Sequence, residues 1–273
     1  MRAFIVLVAG LACLQTSALA VTLEGREPAR AAAATDLAEI ARVGGSGRTE
    51  FVLRGRVSRR HAAAAVRLAH ELIEDTHRRF LPIDGSKLPP VDVCLFETTA
   101  EYRRFLREAL GPENREGDLG VYWRYRRTVV ANLSTPLGNL RHELAHALIS
   151  DALGPLPAWL DEGLASLYNE AAWKNGAYVL GRSHRLAQLR AARAAGKLPD
   201  LAALAAAGER EVYGENFRAY YSLGRFIALY LDEKGKLAEF VQEMSQSRTT
   251  DEQRMALERY VDFAAFLAWT ERL

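Results

Sequence analysis

Residues 141–146 read RHELAH, and the rest of the chain is interpreted around this motif. His142 and His146 are four residues apart, and the apolar residues that flank them follow a helical rather than an alternating pattern. Residues four apart lie on one face of an α-helix, so the two imidazoles can bind one metal ion. Glu143 lies one position further round, where its carboxylate can reach a metal-bound water. This pattern is typical of zinc hydrolases. The alternative is a surface helix whose two histidines and glutamate are solvated and bind no metal.

A second predicted helix offers a third metal ligand. The glycine and prolines of residues 154–157 end the first helix and start the next, and so short a connection predicts antiparallel neighbours. Glu162 lies sixteen residues after His146, far enough for the chain to turn and return alongside the first helix. Gly163 allows the two helices to approach closely. The sequence therefore predicts one zinc ion per chain, with an open position for water, held by His142, His146 and Glu162.

Two segments together resemble a known family. HELAH at residues 142–146, followed by LPAWLDEGLA at residues 156–165, is similar to the HExxH and W-L-x-E-G-L-A signature of gluzincin metallopeptidases, in particular the exported bacterial peptidase MA-like families. The resemblance is strong over residues 140–168 and extends in element order from residue 50 to the C-terminus. It implies the same three zinc ligands, with Glu143 as the general base. Many gluzincins carry an aspartate four residues after the ligand glutamate to orient a histidine, and Ser166 stands there instead.

The resemblance also implies a tyrosine that donates a hydrogen bond to the oxyanion of the tetrahedral intermediate. Related enzymes often place it in a Y-x-x-[SG] pattern before an apolar run, and YSLG at residues 221–224 matches that pattern loosely. Tyr221 is therefore the predicted donor, with Tyr220 as the next candidate. Aromatic residues at helical spacing are also typical of a buried helix face, which is the alternative role.

Composition limits the classes of function. At 273 residues and 49% hydrophobic residues, the chain can form a sizeable core. A net charge of +2 lacks the basic excess that is typical of nucleic-acid binding, so no nucleic-acid partner is predicted. The resemblance to metallopeptidases implies a peptide or protein substrate. No G-x-S-x-G motif occurs, which disfavours a serine hydrolase.

The first twenty residues are typical of a secretory signal peptide. Arg2 precedes an apolar run at residues 4–14, and Ala18 to Ala20 form an A-x-A cleavage site, so cleavage after Ala20 is predicted. The run is short for a membrane span, and an uncleaved anchor is the alternative. The mature protein is expected in the periplasm or outside the cell, without a membrane span. Cys94 would then be the only cysteine, which excludes an intramolecular disulfide and favours a small buried apolar residue.

The predicted fold class is α+β, with a gluzincin-like domain in which a small mixed sheet lies over the HExxH helix and a helical C-terminal half follows. Residues 21–48 are expected to be a flexible lead-in with one short helix near residues 36–42. Residues 49–273 are the predicted catalytic domain, divided into an α/β part at 49–137 and a helical part at 138–273 that carries the zinc site. Strands are predicted at residues 50–57, 91–96 and 120–133, and the main helices at 59–80, 99–110, 136–152, 158–168, 216–231 and 263–273. Ser134 or Thr135 is the predicted N-cap of the HExxH helix, with Pro136 in its first turn.

The strand at residues 120–133 is expected to bend or turn near Arg126 and Arg127. It is either a core segment of the sheet or an edge strand above the metal that pairs with an extended peptide. Together these features predict an exported zinc metallopeptidase in which Glu143 activates the attacking water. A zinc-stabilised scaffold that binds peptides or envelope proteins without cleaving them is the alternative function.

Overall fold

The computed structural model describes residues 37–45, 49–81, 88–110, 119–181 and 183–273. The predicted signal peptide and most of the predicted lead-in lie outside the described residues. The described chain is a mixed α+β protein, which is the predicted fold class, and its main sheet has five strands. Within these ranges, no helix has the length and apolar character needed to cross a membrane.

The elements are numbered here in chain order. The strands are β1 (Glu39–Gly44), β2 (Glu50–Gly55), β3 (Val91–Phe96), β4 (Gly120–Trp123), β5 (Thr128–Asn132), β6 (Ala172–Lys174) and β7 (Ala177–Val179). The helices are α1 (Arg59–Arg79), α2 (Thr99–Leu110), α3 (Gly138–Leu153), α4 (Ala158–Ser166), α5 (Arg185–Ala194), α6 (Leu201–Ala206), α7 (Glu209–Val212), α8 (Phe217–Glu233), α9 (Leu237–Gln246), α10 (Thr250–Tyr260) and α11 (Phe263–Arg272).

The main sheet separates two hydrophobic layers. Its strand order is β1-β2-β3-β5-β4, in which β2, β3 and β5 are parallel and the two outer strands are antiparallel to their neighbours. Val93 and Val129 face the large core that also contains residues of α1 and α3. Cys94 and Val130, one position along each strand, face a smaller cluster with α2. This alternation is expected for strands buried on both faces.

Cys94 confirms the prediction of a buried apolar role. The residue is fully buried in the smaller cluster. Burial raises the pKa of its thiol to about 12. A thiol with so high a pKa is not a nucleophile at neutral pH.

The short helix predicted near residues 36–42 is wrong in the described part of that segment, because Glu39–Gly44 forms strand β1. Arg42 pairs with Val52 and Val43 with Phe51 across an antiparallel ladder. The Val43 side chain is buried in the large core. Pairing with β2 therefore outweighs the weak local preference for a helix. The sheet thus begins N-terminal to the predicted domain boundary at residue 49.

The predicted turn near Arg126 and Arg127 is confirmed. Strand β4 is followed by a single 3₁₀ turn at Arg124–Arg126, and Arg127 takes a left-handed conformation with φ 48° before β5 begins. The pair β4 and β5 is antiparallel. This hairpin makes β4 an edge of the described sheet.

Two other elements differ from the predictions. The HExxH helix begins at Gly138, although the sequence predicts an N-cap at Ser134 or Thr135 with Pro136 in the first turn, because Asn132 accepts a hydrogen bond from the backbone of Ser134 and holds a turn there. The predicted helical part, from residue 138 onward, also contains the β6–β7 hairpin. Its turn is formed by Asn175 and Gly176, both at positive φ, and Asn-Gly is a strong signal for a two-residue hairpin turn.

Helix α8 packs directly against α4, and the contact depends on two glycines. A Cβ atom at Gly163 would lie 2.5 Å from the backbone carbon of Gly224, and one at Gly224 would lie 2.3 Å from the carbonyl oxygen of Trp159. Neither distance is possible for a real side chain. The two backbones therefore meet with no side chain between them. The close approach predicted for Gly163 is between α3 and α4, whereas the structure has it between α4 and α8.

We predict that Gly224→Ala destabilises the protein. The added methyl group must push α4 and α8 apart, which costs about 1–3 kcal/mol and outweighs the gain of about 1 kcal/mol in helix propensity. Urea unfolding should show a lower midpoint. Gly181→Ala is the control, because a Cβ there meets no described atom within 4 Å. Equal midpoints for the two variants would contradict the close helix contact.

Candidate metal centre

Three side chains from two helices form the centre of the site. His142 and His146 extend from consecutive turns of α3, and Glu162 extends from α4. All three are buried, and their donor atoms lie within 4.8 Å of one another. This is the only group of three such ligands among the residues the structure describes. The group could hold a metal ion.

The distances within the group suit a single ion. The two Nε2 atoms of His142 and His146 are 3.0 Å apart. Glu162 Oε2 lies 3.3 Å from Nε2 of His142 and 3.7 Å from Nε2 of His146. Four tetrahedral bonds of ~2.0–2.1 Å would separate the donor atoms by ~3.3 Å. The three donors are therefore already close to the spacing that a small tetrahedral ion requires.

The Glu162 carboxylate gives a further sign of fit. It is fully buried, and neither of its oxygens makes a hydrogen bond of normal geometry within the described chain. A buried carboxylate without such partners is costly unless positive charge compensates it. A metal cation at this position would supply that charge.

The electrostatics of the three groups are coupled. For His142, burial has the largest effect and lowers the pKa. Burial acts in the same direction on His146, but the negative charges of Asp161 and Glu162 outweigh it and raise the pKa. For Glu162, burial favours the neutral acid, yet the positive charge of His146 and contacts with both histidines lower the pKa. The site thus favours an ionised Glu162 beside a protonated His146. A divalent cation binds neutral imidazoles, so its binding here would displace the proton of His146.

Glu143 lies between α3 and the edge strand β4. Its side chain is buried, and a Cβ atom at Gly120 would lie 2.8 Å from its Cγ. Because residue 120 has no side chain, the backbone of β4 can lie directly against Glu143. The predicted general base is therefore next to the edge strand.

A cleft of about 500 Å³ opens beside His146. Its lining includes residues 122–125 of the β4–β5 hairpin, and also residues 205–209 and Tyr213. His146 and Asp161 also line it. The described protein therefore has a path from its surface to one of the candidate metal ligands.

The two tyrosines predicted from sequence lie in different environments. Tyr221 is buried, and its ring packs 6.3 Å from that of Tyr213 and 5.1 Å from the guanidinium of Arg185. Burial and the charge of Glu162 raise its pKa, so its side chain lies near Glu162. Tyr220 is half-buried, and besides burial only the charge of Glu211 raises its pKa.

Tyr213 was missed by the sequence reasoning. It lines the cleft, and its pKa is raised by burial and then by the charges of Glu162 and Asp161. Its side chain therefore lies near the metal ligands and is open to the cleft. No local motif marks this position, because Tyr213 lies between two helices and reaches the site only through their packing.

Comparison with known proteins adds no family to this description. No protein-family model matches the chain, and no curated protein matches it closely enough to count as a relative.

The first test of the centre is its metal content. We expect the purified protein to retain about one metal ion per chain after dialysis, and His146→Ala to retain almost none, because two donors hold an ion far less tightly than three. Elemental analysis by mass spectrometry measures both. His70→Ala, which removes an exposed histidine of α1, is the matched control and should retain the wild-type content. Equal metal content in the His146 and His70 variants would contradict the assignment.

Proposed function

We propose that this chain is an exported zinc metallopeptidase with a gluzincin-type ligand set. The observation that carries the proposal is the buried group of His142, His146 and Glu162 beside an open cleft, with Glu143 next to it. The HExxH signature supports peptide hydrolysis, and the signal-like N-terminus supports export. The substrate is a peptide or a protein.

The donor set favours zinc. Two imidazoles and one carboxylate are a common protein ligand set of catalytic zinc sites, which keep one position open for water. Bound there, zinc would polarise the scissile carbonyl and lower the pKa of a water molecule to about 7. The chain's own contribution is to hold the three donors in a buried, preorganised arrangement.

Glu143 acts as the general base. Its carboxylate takes a proton from the attacking water and later delivers it to the nitrogen of the leaving amine. Contact with the β4 backbone limits the positions that its side chain can take. A base held in place in this way loses little entropy when it reaches the transition state.

The edge strand β4 is the proposed binding site for the substrate backbone. It ends the described sheet, so its outer backbone groups have no strand partner among the described residues. An extended peptide can add to such an edge through main-chain hydrogen bonds, which carry little sequence preference. Since Gly120 in this strand touches Glu143, a peptide paired to β4 would run past the general base.

Tyr213 is the proposed donor to the oxyanion. A hydroxyl that lines the cleft can reach a substrate carbonyl, whereas Tyr221 is 1% exposed and is not among the residues that line the cleft. Tyr221 would then support the ring of Tyr213 and the metal ligands.

We predict that Glu143→Gln separates metal binding from catalysis. The amide cannot accept the proton of the water, so peptide cleavage should fall by about 10²–10⁴-fold. The metal content should remain near that of the wild type, because Glu143 is not a ligand. The assay is cleavage of a broad peptide library, with a chelator-treated sample as the blank.

The same library tests the scaffold alternative. Chelator-sensitive cleavage by the wild type that disappears in Glu143→Gln supports the peptidase. A wild type that holds zinc and cleaves no member of the library would instead favour a binding scaffold. Cleavage by Glu143→Gln at the wild-type rate would refute the proposed mechanism.

We also predict that Tyr213→Phe lowers kcat more than Tyr221→Phe does. Removing a donor to the oxyanion costs about 10²–10³-fold in kcat, while KM and zinc content should change little. Tyr221→Phe is the matched control, because it removes the same hydroxyl from a buried tyrosine that packs against Tyr213. A larger loss of kcat in Tyr221→Phe would instead indicate that Tyr221 donates the hydrogen bond to the oxyanion.

A further inference from the structure

A metal-bound histidine usually donates its second ring N–H to an acceptor, which fixes the tautomer and the orientation of the ring. In this chain Ser166 stands where related sequences carry an orienting aspartate. Its hydroxyl donates to the carbonyl of Gly163 in the same helix, at 2.9 Å. The Ser166 hydroxyl therefore makes its hydrogen bond within α4 and does not replace the missing aspartate.

Asp161 lies where such an acceptor is needed. Its Oδ1 is 3.1 Å from Nδ1 of His146, and Nε2 of the same ring faces the other metal ligands. The contact is not aligned as a linear hydrogen bond, but neither atom makes any other hydrogen bond within the described chain. The Asp161 side chain is only 10% exposed, so water competes weakly for this contact.

Arg124 binds the second carboxylate oxygen of Asp161. Its Nη2 donates to Oδ2 of Asp161 at 3.1 Å, which leaves Oδ1 free to face His146. Arg124 belongs to the 3₁₀ turn after β4 and lines the cleft together with Asp161. The three side chains form a continuous row from the rim of the cleft to a metal ligand.

We propose that Asp161 is the positioning residue for His146 and that Arg124 fixes Asp161 in that role. The inference rests on the proposed function in that His146 is taken as a zinc ligand. The aspartate comes directly before the ligand glutamate, and not four residues after it. One turn of α4 therefore supplies both a ligand and the carboxylate that orients another ligand.

The test measures zinc affinity by competition with a chromophoric chelator. Asp161→Asn keeps the size of the side chain but removes its charge, and we expect the dissociation constant for zinc to rise about 10- to 100-fold. Glu209→Gln is the matched control, because Glu209 is a second carboxylate that lines the same cleft. Its dissociation constant should stay within about twofold of the wild type.

Arg124 provides an independent variant, on a residue exposed enough to be replaced without unfolding the chain. Arg124→Gln should raise the dissociation constant by less than Asp161→Asn does, and the double variant should bind no more weakly than Asp161→Asn alone, because Arg124 acts through Asp161. Arg126→Gln, in the same turn but stacked on Trp123, should bind zinc like the wild type. Unchanged affinity in Asp161→Asn, or additive effects in the double variant, would overturn the inference.

The readout is independent of peptide cleavage. Weakened zinc binding in Asp161→Asn supports the positioning role even if no peptide is cleaved. Unchanged zinc binding in Asp161→Asn refutes that role even if the wild type is an active peptidase. The inference and the proposed function therefore fail separately.

Discussion

The rest of the structure depends on one buried contact, between the Glu162 carboxylate and the imidazoles of His142 and His146. A buried charge of this kind is tolerated only when opposite charge lies close to it. The contact therefore requires α3 and α4 to be held at a fixed separation. Gly163, next to the carboxylate, lets the backbone of α8 press against α4 from the far side. The protein achieves the separation through backbone packing, which is stiffer than contact between flexible side chains.

Two other buried ionic groups hold the surrounding elements in place. Asp75 of α1 accepts hydrogen bonds from the hydroxyl of Tyr168, just after α4, from the backbone of Tyr178 in β7 and from Arg79. Asp151 near the end of α3 accepts from Arg127, at 2.8 Å, which ties the cleft hairpin to the metal-binding helix. Breaking such a pair on one side typically costs about 3–5 kcal/mol, a large share of the ~5–15 kcal/mol that stabilises a typical domain. The metal centre is thus enclosed by contacts that resist local opening.

The sequence predicts those parts of the structure that depend on local pattern. The spacing of the HExxH motif places two ligands on one helix face, and the short connection after it makes Glu162 available as the third. Strand β1 is not predicted, because its local sequence pattern is weak and its stability comes from pairing with β2. The β6–β7 hairpin could have been predicted, since Asn175-Gly176 is a recognised turn signal. Tyr213 and Asp161 could not be assigned roles, because what they contact depends on how separate helices pack.

Two parts of the cleft lining differ in how firmly the rest of the structure holds them. The β4–β5 hairpin is part of the sheet and is tied to α3 through Arg127, whereas residues 205–209 belong to or adjoin two short helices of six and four residues. Short helices gain most of their stability from tertiary packing, so this part of the lining is the more easily displaced of the two. Under the proposed function, such a cleft would keep the candidate metal ligands, the proposed general base and the edge strand in place while the helical part adjusts to substrates of different size. The small residues at 205–208 fit that proposal, because alanine and glycine leave room for a substrate side chain.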